Sequence, residues 1–142
     1  MATNSASTQA RVPTGQYIVP MCFRVTYSDA GIASGVPVPG KLLPAGAIIV
    51  GTDAVVATTF NAQTTNVLTV GINGTTANNI IASADVDETT AGLTKNVSPT
   101  GTALGRIASD SQVYVKYTQT GTAASQGVAD IIIKYVYPLN DA

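Results

Sequence analysis

The chain contains no histidine and no tryptophan, a single cysteine, and little charge of either sign. Each shortage excludes something. Without histidine there is no Ser-His-Asp or Cys-His arrangement, and the commonest metal ligand is missing. Cys22 alone cannot form an internal disulfide, and a lone strand cysteine reads as a small core residue rather than a nucleophile. Charged residues make up 11% of the chain, against about 25% in an ordinary domain. The basic residues (Arg11, Arg24, Lys41, Lys95, Arg106, Lys116, Lys134) are scattered and never adjacent. The basic stripe with which a nucleic-acid binder releases counterions from phosphate is therefore absent. No window approaches the roughly 18 apolar residues that cross a membrane. The N-terminal run MATNSASTQARVPTGQ lacks the apolar core of a signal peptide. These absences predict no direct nucleic-acid partner, no membrane partner, and synthesis in a cytoplasm.

Catalytic and cofactor motifs are equally scarce. The glycines form neither a G-x-G-x-x-G run opening a helix nor a Walker loop. Only Asp85, Asp87 and Glu88 bring carboxylates close together, and the D-x-D-x-D-G calcium pattern is missing. A glycosidase sets two carboxylates about 5–10 Å apart across one bond, which adjacent acids on one turn seldom do. The three acids read instead as complements to a helix dipole. The expectation is a protein that is not an enzyme and carries no cofactor or metal.

What is present points to binding. Apolar residues make up 45% of the 142, and the net charge is −1. That balance is opposite to the one that keeps chains disordered, and the length suits one domain. The small, polar, aperiodic residues 1–15 read as a flexible N-terminal arm, and 16–142 as a single β-sandwich domain. A surface so near neutrality is poorly protected against self-association, which suits a subunit of an assembly.

Along the chain, Tyr17, Val19, Met21, Phe23, Val25 and Tyr27 are apolar at every second position, the period of a strand with one buried face. Pro20 cannot donate to a ladder, so this strand is an edge or bulges there. Residues 28–44 read as a long loop because Gly31, Gly35, Pro37, Pro39, Gly40 and Pro44 cluster in them. Strands are predicted at 47–50 and 54–60, around a turn at Gly51-Thr52-Asp53. Another is predicted at 67–72, ending at the turn dipeptide Asn73-Gly74. Residues 79–82 form a further short candidate. One short helix is predicted at 83–92, capped by Ser83, with the acids in its first turn and Gly92 at its end. Residues 106–109 are a weak strand candidate. Residues 112–119 are a stronger one, with Val113, Val115 and Tyr117 on one face. The last strand spans 128–137, with Ala129, Ile131, Ile133, Tyr135 and Tyr137 on one face. Strand following strand, with regular turn signals, predicts an all-β antiparallel sandwich of jelly-roll type.

The segment Leu43-Pro44-Ala45-Gly46-Ala47-Ile48-Ile49-Val50-Gly51 carries a family resemblance. So do the strand at 67–72, the acidic Ala84-Asp85-Val86-Asp87, the run Thr89-Thr90-Ala91-Gly92-Leu93 and the closing strand pair. Over roughly residues 40–137 the chain resembles the jelly-roll cement, or decoration, proteins of tailed double-stranded-DNA bacteriophages. Small tail, neck and fibre-associated β-sandwich modules share the same composition and are the alternative. The resemblance implies a virion protein on the capsid exterior that clamps neighbouring major capsid subunits of the expanded head. It further implies self-association as a homodimer, or a trimer. Candidate interface residues are Arg11, Val12 and Pro13 in the arm, and Pro20 on the first strand's edge. Val36, Pro37, Val38 and Pro39 in the 28–44 segment and the terminal Tyr137 complete the set.

Overall fold

A computed structural model describes residues 17–137 of the chain. The expected arm, with Arg11, Val12 and Pro13, lies outside the described residues. The described residues form seven strands: β1 Val19–Thr26, β2 Val36–Leu43, β3 Ile48–Thr58, β4 Thr65–Gly71, β5 Gly92–Val97, β6 Ser111–Thr120 and β7 Val128–Val136. They form two antiparallel sheets, β1-β7-β3-β5 and β2-β6-β4. Successive strands belong to alternate sheets, as in a jelly roll. The position beside β4 where a jelly roll holds its eighth strand carries the single bridge Val70↔Ile81.

Alternation places the core where the sequence puts it. Met21 and Val25 of β1, Val113, Val115 and Tyr117 of β6, and Ala129, Ile131 and Ile133 of β7 all point between the sheets and are buried. β1 is an outer strand, consistent with Pro20. Tyr17, expected on the inner face, precedes the strand and is exposed.

Five expectations need correction. Cys22, read as a small core residue, is exposed, because it lies on the face of β1 opposite the buried Met21 and Val25. The 28–44 segment is a loop only in its first half, because β2 occupies the rest. Pro37 and Pro39 are tolerated there because β2 is an edge, and its pairing with β6 is irregular between Pro37 and Leu42. Gly51-Thr52-Asp53 is no turn. β3 runs through it, absorbing Val50 as a bulge between the Ile49↔Tyr135 and Gly51↔Lys134 pairs. The helix expected at 83–92 does not form, and that stretch holds turns and irregular backbone. Its acids bind local backbone instead: Asp85 Oδ2 accepts from Ala82 N–H at 2.7 Å, and Asp87 Oδ1 from Thr89 N–H at 3.1 Å. Such side-chain turns compete directly with helix. Finally, residues 106–109 form no strand, only the isolated bridge Ile48↔Arg106 with Ile107 hydrogen-bonded to the backbone of Gly46 and Ala47, whereas β5, not foreseen, pairs with β3.

Candidate protein-interaction surface

The candidate surface is built along β1. Phe23 and Arg24 from its middle form one wall of a groove of about 330 Å³, and Val36, Pro37, Val38 and Pro39 from β2 form the other. Asp29 and Ala30 close one end, and Val115 of β6 lies against it as well. The groove thus opens where the outer strands of the two sheets face each other. Its lining is apolar apart from Arg24 and Asp29, a combination that suits an extended apolar segment held at its polar margins.

Each polar group there is already oriented. Arg24 donates to both carboxylate oxygens of Asp130 across β1 and β7, at 2.8 and 3.1 Å. The Arg24 hydrogen bond holds the Asp130 carboxyl below its ordinary range. Both groups are well exposed, so the pair fixes a geometry more than it stabilises the fold. Asp29 accepts from Thr26 N–H at 3.0 Å and from the Thr26 hydroxyl at 2.6 Å, which tightens the turn after β1.

The irregular stretch of β2 is held by one side chain. Gln112 of β6 shares its amide N–H groups among the carbonyls of Val38 at 2.7 Å, Lys41 at 3.1 Å and Val113 at 2.9 Å. Gln112→Met is expected to leave these carbonyls unpaired and to lower unfolding stability by about 1–3 kcal/mol. Urea titration reads this directly, and an unchanged midpoint would show that the amide is dispensable.

Of the residues named from sequence, Val36, Pro37, Val38 and Pro39 come together in the groove. Pro20 lies on β1, the other edge strand, but outside the groove. Tyr137 follows the end of β7, near the start of β1, because Val19 pairs with Tyr135. Tyr17, Ile18 and Tyr137 are exposed at that end, and Val50 on its bulge lies one strand away. Sequence reasoning did not place Phe23, Arg24 and Val115 at this surface. Phe23 and Val115 read as core by alternation, and nothing local shows that they border an opening.

On the outer face of the larger sheet, Asp53 accepts from Asn96 N–H at 2.9 Å and pairs with Lys134 at 3.3 Å. The Asn96 hydrogen bond is the main cause that holds the Asp53 carboxyl low. Among the described residues no group of His, Cys, Asp and Glu is placed to hold a metal ion, and no helix is long and apolar enough to cross a membrane.

No protein-family model and no curated protein sequence matches the chain. Solved structures do. A chain of the cyanophage Pam1 capsid asymmetric unit aligns with a TM-score of 0.64 and 21% identity, over 96% of this chain and 99% of that one. A chain from the capsid of Ralstonia phage GP4 aligns at 0.60 and 22%, over 93% and 92% respectively. A third, from the acidic stable capsid structure of Helicobacter pylori bacteriophage KHP30, aligns at 0.57 and 18%, over 89% and 91%. The class these likenesses define is a fold. This chain has the two-sheet β-sandwich of chains present in those capsid structures. Because coverage is high in both directions, each of those chains is close to this one in length.

Proposed function

We propose that the protein is a virion structural protein of a bacteriophage, a cement or decoration protein that binds the outside of the capsid and clamps neighbouring major capsid subunits. The observation that carries this reading is the end-to-end likeness to chains of similar length in three phage capsid structures. The β1/β2 groove is the docking surface, and its occupant is an extended apolar segment of the shell. The exposed apolar residues where β1 begins and β7 ends extend the contact, and the N-terminal arm completes the clamp. Stabilisation follows from linkage: a protein that binds only the expanded shell favours that state by its binding free energy, repeated at every copy. A contact of about 800 Å² per partner is of ordinary size for a specific interface, and self-association would couple two such contacts.

The test is co-sedimentation with expanded phage heads lacking the protein, scored for copy number and heat resistance. Saturable binding at a fixed number of copies, with raised heat resistance, is expected. A double Pro37→Glu, Pro39→Glu variant puts two charges on exposed groove positions. It is expected to bind roughly 30-fold more weakly, the loss typical of one hot spot. Deleting residues 2–12 is expected to weaken binding as well. Full occupancy by the charged variant would remove the groove from the interface. No binding of the unaltered protein to heads would overturn the cement reading in favour of tail, neck or fibre.

A further inference from the structure

Residues 82–91 lead from the Val70↔Ile81 bridge to β5, from one sheet to the other, and are tied to the sandwich by few groups. Most of their side chains are exposed; Val86 and Glu88 point inward and are buried, at 5% and 4% exposure. The remaining polar contacts are largely internal, through Asp85 and Asp87. A backbone tie to the body runs from Phe60 N–H to Glu88 C=O, at 2.9 Å. Glu88 therefore anchors the segment twice, by its main chain and by its side chain.

The side-chain anchor is chemically unusual. Glu88 Oε2 is buried without a hydrogen-bond partner. Ionised, it would be a buried charge that backbone N–H groups compensate only in part, and neutral, it costs less. The titratable groups facing it are Tyr117 of β6 and Asp87 of its own segment, and neither supplies positive charge. The Leu68 backbone N–H of β4 and the backbone N–H of Glu88 itself both favour the charged form. Burial outweighs both bonds and, with the Asp87 charge adding to it, pushes the Glu88 carboxyl from its ordinary 4.5 up to about 7.

We propose that residues 82–91 form a pH-operated latch, closed against the sandwich while the Glu88 carboxyl is neutral and released as it ionises. The direction follows from proton linkage. The closed latch holds a proton that the open, solvated carboxyl gives up at ordinary carboxylate pH. Closure is fully favoured below about 4.5, weakens as pH rises, and reaches its minimum above about 7. The device depends on Glu88 alone and does not require the capsid role.

Hydrogen exchange of the full-length protein, corrected for intrinsic rates, tests it. Opening of residues 86–91 should increase roughly 30-fold between pH 5.5 and 8.5, while Glu88→Gln should show a flat profile. A flat profile in the unaltered protein, or the same rise in Glu88→Gln, would overturn the proposal. Should that variant fail to fold, the carboxyl carbon shift of Glu88 in the unaltered protein decides instead. A titration midpoint near neutrality supports the latch, and one near 4.5 sinks it.

Discussion

Gly35→Ala is expected to lower unfolding stability by about 3 kcal/mol or more, combining backbone strain with overpacking. Gly35 sits at φ +87, between the short 3₁₀ turn Ile32–Ser34 and the start of β2. A Cβ there would stand 2.4 Å from the Thr75 carbonyl oxygen and 2.9 Å from Thr75 Cα. Both atoms are backbone, so relief requires moving either the Gly74–Thr76 turn or the entry to β2. Gly40→Ala is the control: it also has positive φ, at +73, but nothing lies within 4 Å of its Cβ. It should lose only the conformational preference, about 1 kcal/mol. In urea, where slopes of about 1–3 kcal/mol/M are usual, the two midpoints should differ clearly. Equal midpoints would mean that the Thr75 contact yields without cost. Because Gly35 aims β2 at the groove, the same substitution should also weaken partner binding.

The second large effect is centred on Phe60. Its ring is 1% exposed and lies 4.8 Å from the Tyr117 ring, tilted by 50°. Tyr117 is itself fully buried, with its hydroxyl donating to Asn66 Oδ1. On the other side the ring approaches Gly127 so closely that a Cβ there would meet Phe60 Cδ2 at 2.3 Å. Phe60→Ala is expected to cost about 3–5 kcal/mol through lost burial and the cavity left behind. Gly127→Ala should be strongly destabilising alone and much milder once the ring is gone. The double-mutant cycle should therefore show a coupling of about 1–3 kcal/mol. Additivity within experimental error would refute the packing described between ring and glycine.

Strands with one clean inner face were legible in the sequence. In β6, Val113, Val115 and Tyr117 alternate with half-exposed or exposed neighbours, and the predicted limits differ from the observed Ser111–Thr120 by one residue at each end. β1 and β7 were read almost as closely. The outer strands β2 and β5 were not. β2 carries two prolines and a glycine, which argue against a strand unless one already knows that it lies at an edge. β5 turns Leu93 outward and buries only Val97, so its alternation is too faint to detect. Gly51-Thr52-Asp53 has the composition of a turn, yet Thr52 is buried opposite Ile133 and Asp53 binds Lys134 across the sheet. The acidic segment misled for a similar reason. Asp85, Asp87 and Glu88 suit a helix N-terminus, but two of them bind local backbone and the third turns into the core.

The candidate surface was half visible. Val36, Pro37, Val38 and Pro39 stood out as an apolar, proline-rich stretch, and Pro20 marked an edge. That both edges face one groove required the sheet order.

The all-β sandwich and its inward-facing residues in β1, β6 and β7 could be read from the amino-acid order alone. These follow from composition and from period-two alternation, which neighbouring residues impose on one another through strand geometry. Which strands are edges, that β1 and β2 enclose the groove, and that Glu88 is the buried acid of its cluster came from the folded arrangement. Those properties depend on pairings between residues far apart in the chain, such as Pro37 with Tyr114 and Cys22 with Ile132. A single carboxylate is exposed or buried according to what the remote strands place around it, not according to its neighbours in sequence.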